Sequence, residues 1–200
     1  MQLRMSYTSP YARKCRMVAI ETGLDDRIEM VATQPWAADT DLPRDNPLCK
    51  VPALLTRDAG TLYDSPVICA YLDSLHGGTP LIPAEGPERW RHLRLEALAD
   101  GIIDAAVAIR VETAMRPEDK RWPHWAERQH KAVARGLDAL ESEAGDWGDT
   151  FLMGQIAALA ALRYVDFRGI LDWRADRPAL AAWHQKAAER PSAIATEPKE

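Results

Sequence analysis

Three cysteines in 200 residues, Cys15, Cys49 and Cys69, are too few and too unevenly spaced for a disulfide framework, and no two of them form a C-x-x-C pair. Histidine is also sparse. The five present (His76, His92, His124, His130, His184) contain neither H-x-x-x-H nor H-E-x-x-H, so no metal site is expected. Long apolar runs are missing as well: no stretch is long enough to cross a bilayer, and the start MQLRMSYTS lacks the basic-then-apolar order of a secretory signal. A soluble, cytoplasmic chain with reduced thiols and no membrane partner is the expectation. Basic residues are outnumbered, 25 Lys and Arg against 30 Asp and Glu for a net charge of -5, and they are scattered, which excludes the basic stripe of a nucleic-acid binder.

What the chain does have is a change of pattern halfway along. Residues 2–6 (QLRMS) read as a strand, Ser9 to about Gly23 as a helix, and residues 27–32 (RIEMVA) as a second strand, together a βαβ unit. An Asp-rich segment over 37–46 reads as a loop or short helix. The runs ALLTRD and TLYDS around Asp58-Ala59-Gly60 then form a hairpin, and Asp64-Ser65-Pro66 starts a helix with Ser65 in the capping role that Ser9 has before Pro10. The glycines and prolines of HGGTPLIPAEGP mark a linker. Beyond it the spacing is helical: Leu95 to Ile109, Ala132 to Leu140, an alanine-rich helix over 156–167, a short helix after Leu171, and a last one over 178–189. The expected organisation is a βαβ-ββα domain over 1–76, a linker over 77–87 and an all-α domain over 88–200.

Ser9 is the first candidate for chemistry. A Ser-Pro helix start satisfies one orphan N–H with the hydroxyl and orphans none at the proline, which explains the pair by folding alone. The same geometry sets a hydroxyl at the positive end of a helix dipole, where an anion is favoured.

The βαβ-ββα order, the helical second half, and the joint presence of SPYA at 9–12, NPLCKVPAL at 46–54 and LYDSPVICAYL at 62–72 resemble the serine-type glutathione S-transferases, such as the bacterial cytosolic enzymes. The resemblance covers nearly the whole chain. It implies a thioredoxin-like first domain, glutathione as cosubstrate with no metal, a homodimer, and transfer of the glutathione thiolate to a small apolar electrophile. By the same resemblance Ser9 donates a hydrogen bond to the glutathione sulfur, with Tyr7 and Thr8 as neighbouring hydroxyls that rival it. Lys50, Val51 and Pro52 lie where the family binds the cysteinyl part beside a cis proline, and Asp64 and Ser65 where it holds the γ-glutamyl end. Asp100 or Asp104 corresponds to an acid that reaches the γ-glutamyl amine across a dimer.

Two departures stand out. Cys49 replaces a usual glycine, and Leu152 occupies a capping-box position that a leucine cannot serve, leaving Gln155 with its reciprocal half. Two other readings fit the residues: a non-catalytic transferase-like binding module, which would tolerate loss of Ser9, and a glutathione-dependent isomerase. Disulfide reductase chemistry is disfavoured, because positions 9 and 12 are Ser and Ala where an attacking thiolate is needed.

Overall fold

A computed structural model describes all 200 residues. They form two compact units, residues 1–89 with 191–200, and residues 90–190. The last ten residues therefore pack with the first unit, whereas the sequence assigned them to the helical half.

The first unit is built on a four-stranded mixed sheet of order β2-β1-β3-β4, from β1 (Gln2–Met5), β2 (Glu29–Ala32), β3 (Ala53–Leu55) and β4 (Thr61–Leu62). β1 lies parallel to β2 and antiparallel to β3, and β4 returns antiparallel to β3. Alternation along β1 buries Leu3 and Met5 on one face. Between β1 and β2 runs α1 (Pro10–Glu21), which buries Ala12, Cys15, Val18 and Ala19. It stops as the sequence indicates: Gly23 takes a left-handed φ of 68°, and the Leu24 N–H reaches back to the Ala19 C=O at 2.7 Å. Packed beside it is α2 (Ser65–Asp73), with Ile68, Cys69 and Leu72 buried. The Asp-rich segment holds only a short 3-10 turn over Leu42–Arg44.

The second unit is helical: α3 (Gly86–Arg110, whose first residues belong to the first unit), α4 (Pro123–Ala144), α5 (Met153–Phe167) and α6 (Pro178–Ala187). α3 ends in a π-helical turn over Val111–Met115. α5 is buried on nearly all sides, and Gly154 permits its close approach to α3, since a Cβ there would lie 2.8 Å from Leu95 Cβ. Trp147 and Trp183 meet edge to face at 4.7 Å and fill the space near α6. No regular helix forms between Leu171 and the start of α6. Side chains claim that segment instead, with Trp173 Nε1 and Arg174 both bonded to Asp166. A last short helix, α7 (Pro191–Ala195), lies against α1 in the first unit.

Candidate functional site

Strand register decides what comes together. Arg4 of β1 is paired with Ala53 of β3, and Leu54 of β3 with Leu62 of β4. Because both pairings are antiparallel, the end of β1, the start of β3 and the end of β4 share one end of the sheet. Ser9, Val51-Pro52 and Asp64-Ser65 follow or precede those three strand ends, so the topology assembles at one end of the sheet the residues singled out from three separate stretches of sequence.

Ser9 is the N-cap of α1, with extended backbone (φ -77°, ψ 120°) and Pro10 as the first helical residue. Its Oγ accepts the Ala12 N–H at 3.2 Å. A hydroxyl has two lone pairs and one proton, so capping consumes an acceptor site and leaves the proton to donate. The folding role and the chemical role thus use different parts of one group. Thr8 Oγ1 lies 3.4 Å from Ser6 Oγ, and the exposed Tyr7 ring sits under the Arg16 guanidinium, 5.6 Å from its carbon, so neither rival hydroxyl caps the helix.

The Val51-Pro52 peptide is cis, and neither the N–H nor the C=O of Val51 enters the loop and turn hydrogen bonds of the chain. Lys50 beside it is exposed. At the third strand end the sequence placed the cap one residue late. Asp64 is the N-cap of α2, exposed and making no capping bond with its carboxylate, while Ser65 is the first helical residue and 1 % exposed. The Ser65 C=O faces the Cys15 thiol at 3.8 Å, and Cys15 in turn lies 3.8 Å from Cys69 Sγ, so the middle of α1 packs against the first turns of α2 in one core.

Cys49 has φ 52°, the left-handed region that favours glycine. Asp100 is half-buried and Asp104 exposed on α3, in the second unit. No group of three or more His, Cys, Asp or Glu comes together as metal ligands would, and no helix is long and apolar enough to cross a membrane.

Two residues absent from the sequence-derived set shape the loop that leads to Val51. Arg4 on β1 donates to Thr33 Oγ1 (2.9 Å) and Asp45 (2.7 Å) and pairs with Asp41. The hydrogen bond to Asp41, opposed by burial, holds the guanidinium above its ordinary pKa, and Asp41 is drawn below the usual carboxylate value by the same bond. Asn46 is buried to 1 % exposure and bonds within its own turn. A charged residue in an otherwise apolar alternation and an Asn-Pro turn start were the available signals.

A thioredoxin-like domain that gathers a capping hydroxyl, a cis proline and an acid-serine helix start, followed by an all-helical domain, defines the class of fold. Comparison with known proteins specifies it. Residues 8–75 match the glutathione S-transferase N-terminal domain and residues 123–186 the C-terminal domain. Across 99 % of its length the chain is 34 % identical to the uncharacterized GST-like protein YibF of Escherichia coli K12, covering 98 % of that protein. A glutathione transferase family member of Pseudomonas fluorescens Pf-5, solved with bound glutathione, superposes with a TM-score of 0.94 at 43 % identity, covering 100 % of this chain and 99 % of that one. A glutathione S-transferase of Methylobacillus flagellatus KT, also with glutathione bound, gives 0.92 at 36 % identity over 99 % of each chain. The chain belongs to the glutathione S-transferase family.

Proposed function

We propose that this protein is a glutathione transferase that binds glutathione at one end of the sheet in its first unit and joins its thiolate sulfur to a small apolar electrophile. The observation that carries the reading is Ser9, whose Oγ accepts the Ala12 N–H and whose proton remains to be given. A thiol with an ordinary pKa of about 8.5 is mostly protonated at neutral pH; an O–H donor at the positive end of α1 favours the thiolate. The rest of the tripeptide follows from the same end of the sheet. The γ-glutamyl carboxylate sits at the start of α2 on Ser65, its ammonium faces Asp64, and the cysteinyl backbone pairs with Val51 beside Lys50 and Pro52. The thiol proton leaves to solvent, and the thiolate then forms the S–C bond as the electrophile's leaving group departs with its bonding pair or, in an addition, as the π pair of the electrophile takes up a proton. Two relatives solved with glutathione support the cosubstrate, and a third complex, of the Pseudomonas fluorescens Pf-5 protein, holds S-(propanoic acid)-glutathione, in which a second carbon substituent replaces the thiol hydrogen. A cytoplasmic homodimer, with Asp100 or Asp104 completing the neighbouring site, is the assembly we assign to it.

Ser9→Ala tests the reading. Two losses are expected together: about 0.5 to 2 kcal/mol of stability from the missing cap, and a rise in the pKa of bound glutathione toward its free value, with turnover at neutral pH falling and affinity little changed. Titration of thiolate absorbance in both proteins reads the second effect. An unaltered thiol pKa in the variant would remove Ser9 from the chemistry and turn attention to Tyr7 and Thr8.

A further inference from the structure

We propose that Asn46 is a positioning residue for glutathione: it fixes the Lys50-Val51 peptide so that the Val51 N–H points out of the loop toward the cysteinyl backbone. This rests on the glutathione reading above and adds to it a residue that touches no ligand. Asn46 Nδ2 donates to the Lys50 C=O at 2.8 Å, and Asn46 Oδ1 accepts the Leu48 N–H at 3.0 Å. Only one orientation of the amide satisfies both partners, since one needs a donor and the other an acceptor. The Asn46 C=O takes the Cys49 N–H at 2.8 Å and its N–H donates to the Leu42 C=O at 2.9 Å, so side chain and backbone together close the turn.

The consequence lies in the geometry of a peptide unit. The Lys50-Val51 bond is trans, so the Lys50 C=O and the Val51 N–H are parts of one planar group and point in opposite directions. Asn46 is 1 % exposed and draws the carbonyl inward, which turns the N–H of Val51 outward. That N–H has no acceptor among the loop and turn bonds. Both ends of the loop are tied to one residue, since Arg4 pairs through its backbone with Ala53 and through its guanidinium with Asp45 at 2.7 Å. Within that frame Asn46 is the side chain that sets the rotation of the 50-51 peptide. Cys49 at φ 52° completes the path of the chain through the turn.

Two variants separate the bonds. Asn46→Ala removes both, and Asn46→Asp keeps the acceptor for Leu48 while setting an oxygen against the Lys50 C=O. Each should raise the KM for glutathione roughly tenfold, the aspartate at least as much as the alanine. Turnover at saturating glutathione and the thiol pKa of the bound tripeptide should stay at wild-type values, because Ser9 and α1 are untouched. A KM within twofold of wild type in both variants, whatever their melting temperatures, would overturn the proposal, and so would a loss confined to turnover. In the wild-type protein, amide exchange at Val51 should be fast and slow at least tenfold with glutathione; no slowing would overturn it without any variant. Failure of the wild type to be retained on immobilised glutathione would bring down the parent reading, an outcome distinct from a retained wild type with an indifferent Asn46.

Discussion

Cys49 holds a backbone conformation that its side chain does not favour, at φ 52° in the turn before the cis proline. An L-residue there costs about 1 to 2 kcal/mol, and glycine gives back about 0.5 to 1 kcal/mol through the greater freedom of its unfolded chain. Cys49→Gly is therefore expected to stabilise the protein by about 0.5 to 1 kcal/mol, raising the melting temperature by about 1 to 4 °C. Calorimetry checks it, and a lower melting temperature would mean that the contact of Cys49 Sγ with the Pro35 C=O, at 3.7 Å, outweighs the strain. At this scale the sequence was informative where a residue's role is written into its neighbours, as with Ser before Pro. For Asn46 and Arg4 it offered a turn start and a lone charge, and nothing that named their partners. Their importance comes from partners that only folding supplies, the Lys50 carbonyl in one case and Asp45 in the other.

Helices announced themselves by their ends. α1 begins at Ser-Pro and stops at Thr22-Gly23, and Gln155 keeps the one half of a capping box open to it, accepting the Leu152 N–H at 3.2 Å. Misreadings fell where side chains compete with the backbone. The helical spacing after Leu171 yields an irregular segment because Asp166 at the end of α5 accepts Trp173 Nε1 at 2.9 Å and both ends of the Arg174 guanidinium at 2.8 and 2.6 Å. Burial opposes ionisation of Asp166, yet these donors outweigh it and hold its pKa below the ordinary carboxylate value. A depressed folded pKa means stability that is complete above the unfolded value, about 3.9, and lost as the pH falls through the folded value beneath it. Asp166→Asn should thus cost about 1 to 2 kcal/mol at neutral pH, with Arg174 partly in solvent. Denaturant melts across the acid range should show the gap to wild type narrowing as the pH falls below 4; a gap that persists unchanged would mean that packing of Trp173, not charge, fixes the segment.

The division of the molecule into a strand-bearing part and a helical part was legible, because the period of apolar residues changes from two to about 3.6 across the glycine- and proline-rich stretch. The route of the C-terminus was not legible, since nothing in PSAIATEPKE names the surface it returns to. The reason is charge burial. Arg13, on the apolar-faced α1 and 4 % exposed, donates to the Ala193 C=O at 3.1 Å and Thr196 Oγ1 at 3.3 Å, while Arg16 reaches the Ala195 C=O at 3.0 Å. From the other side the Ser192 hydroxyl donates to Glu21 at the end of α1. The segment therefore acts as a strap over α1, whose N-terminus carries Ser9. Ending the chain after Arg190 strips a buried guanidinium of these acceptors, at an expected cost of about 2 to 5 kcal/mol. Amide protection in α1 should fall by at least about thirtyfold on the low side of that range. Arg16→Gln, which removes one more exposed contact, should change it by about fivefold or less. Equal protection in the truncated and full-length proteins would show that α1 is held by the sheet and α2 alone, and that the strap contributes no stability to the helix start that carries Ser9.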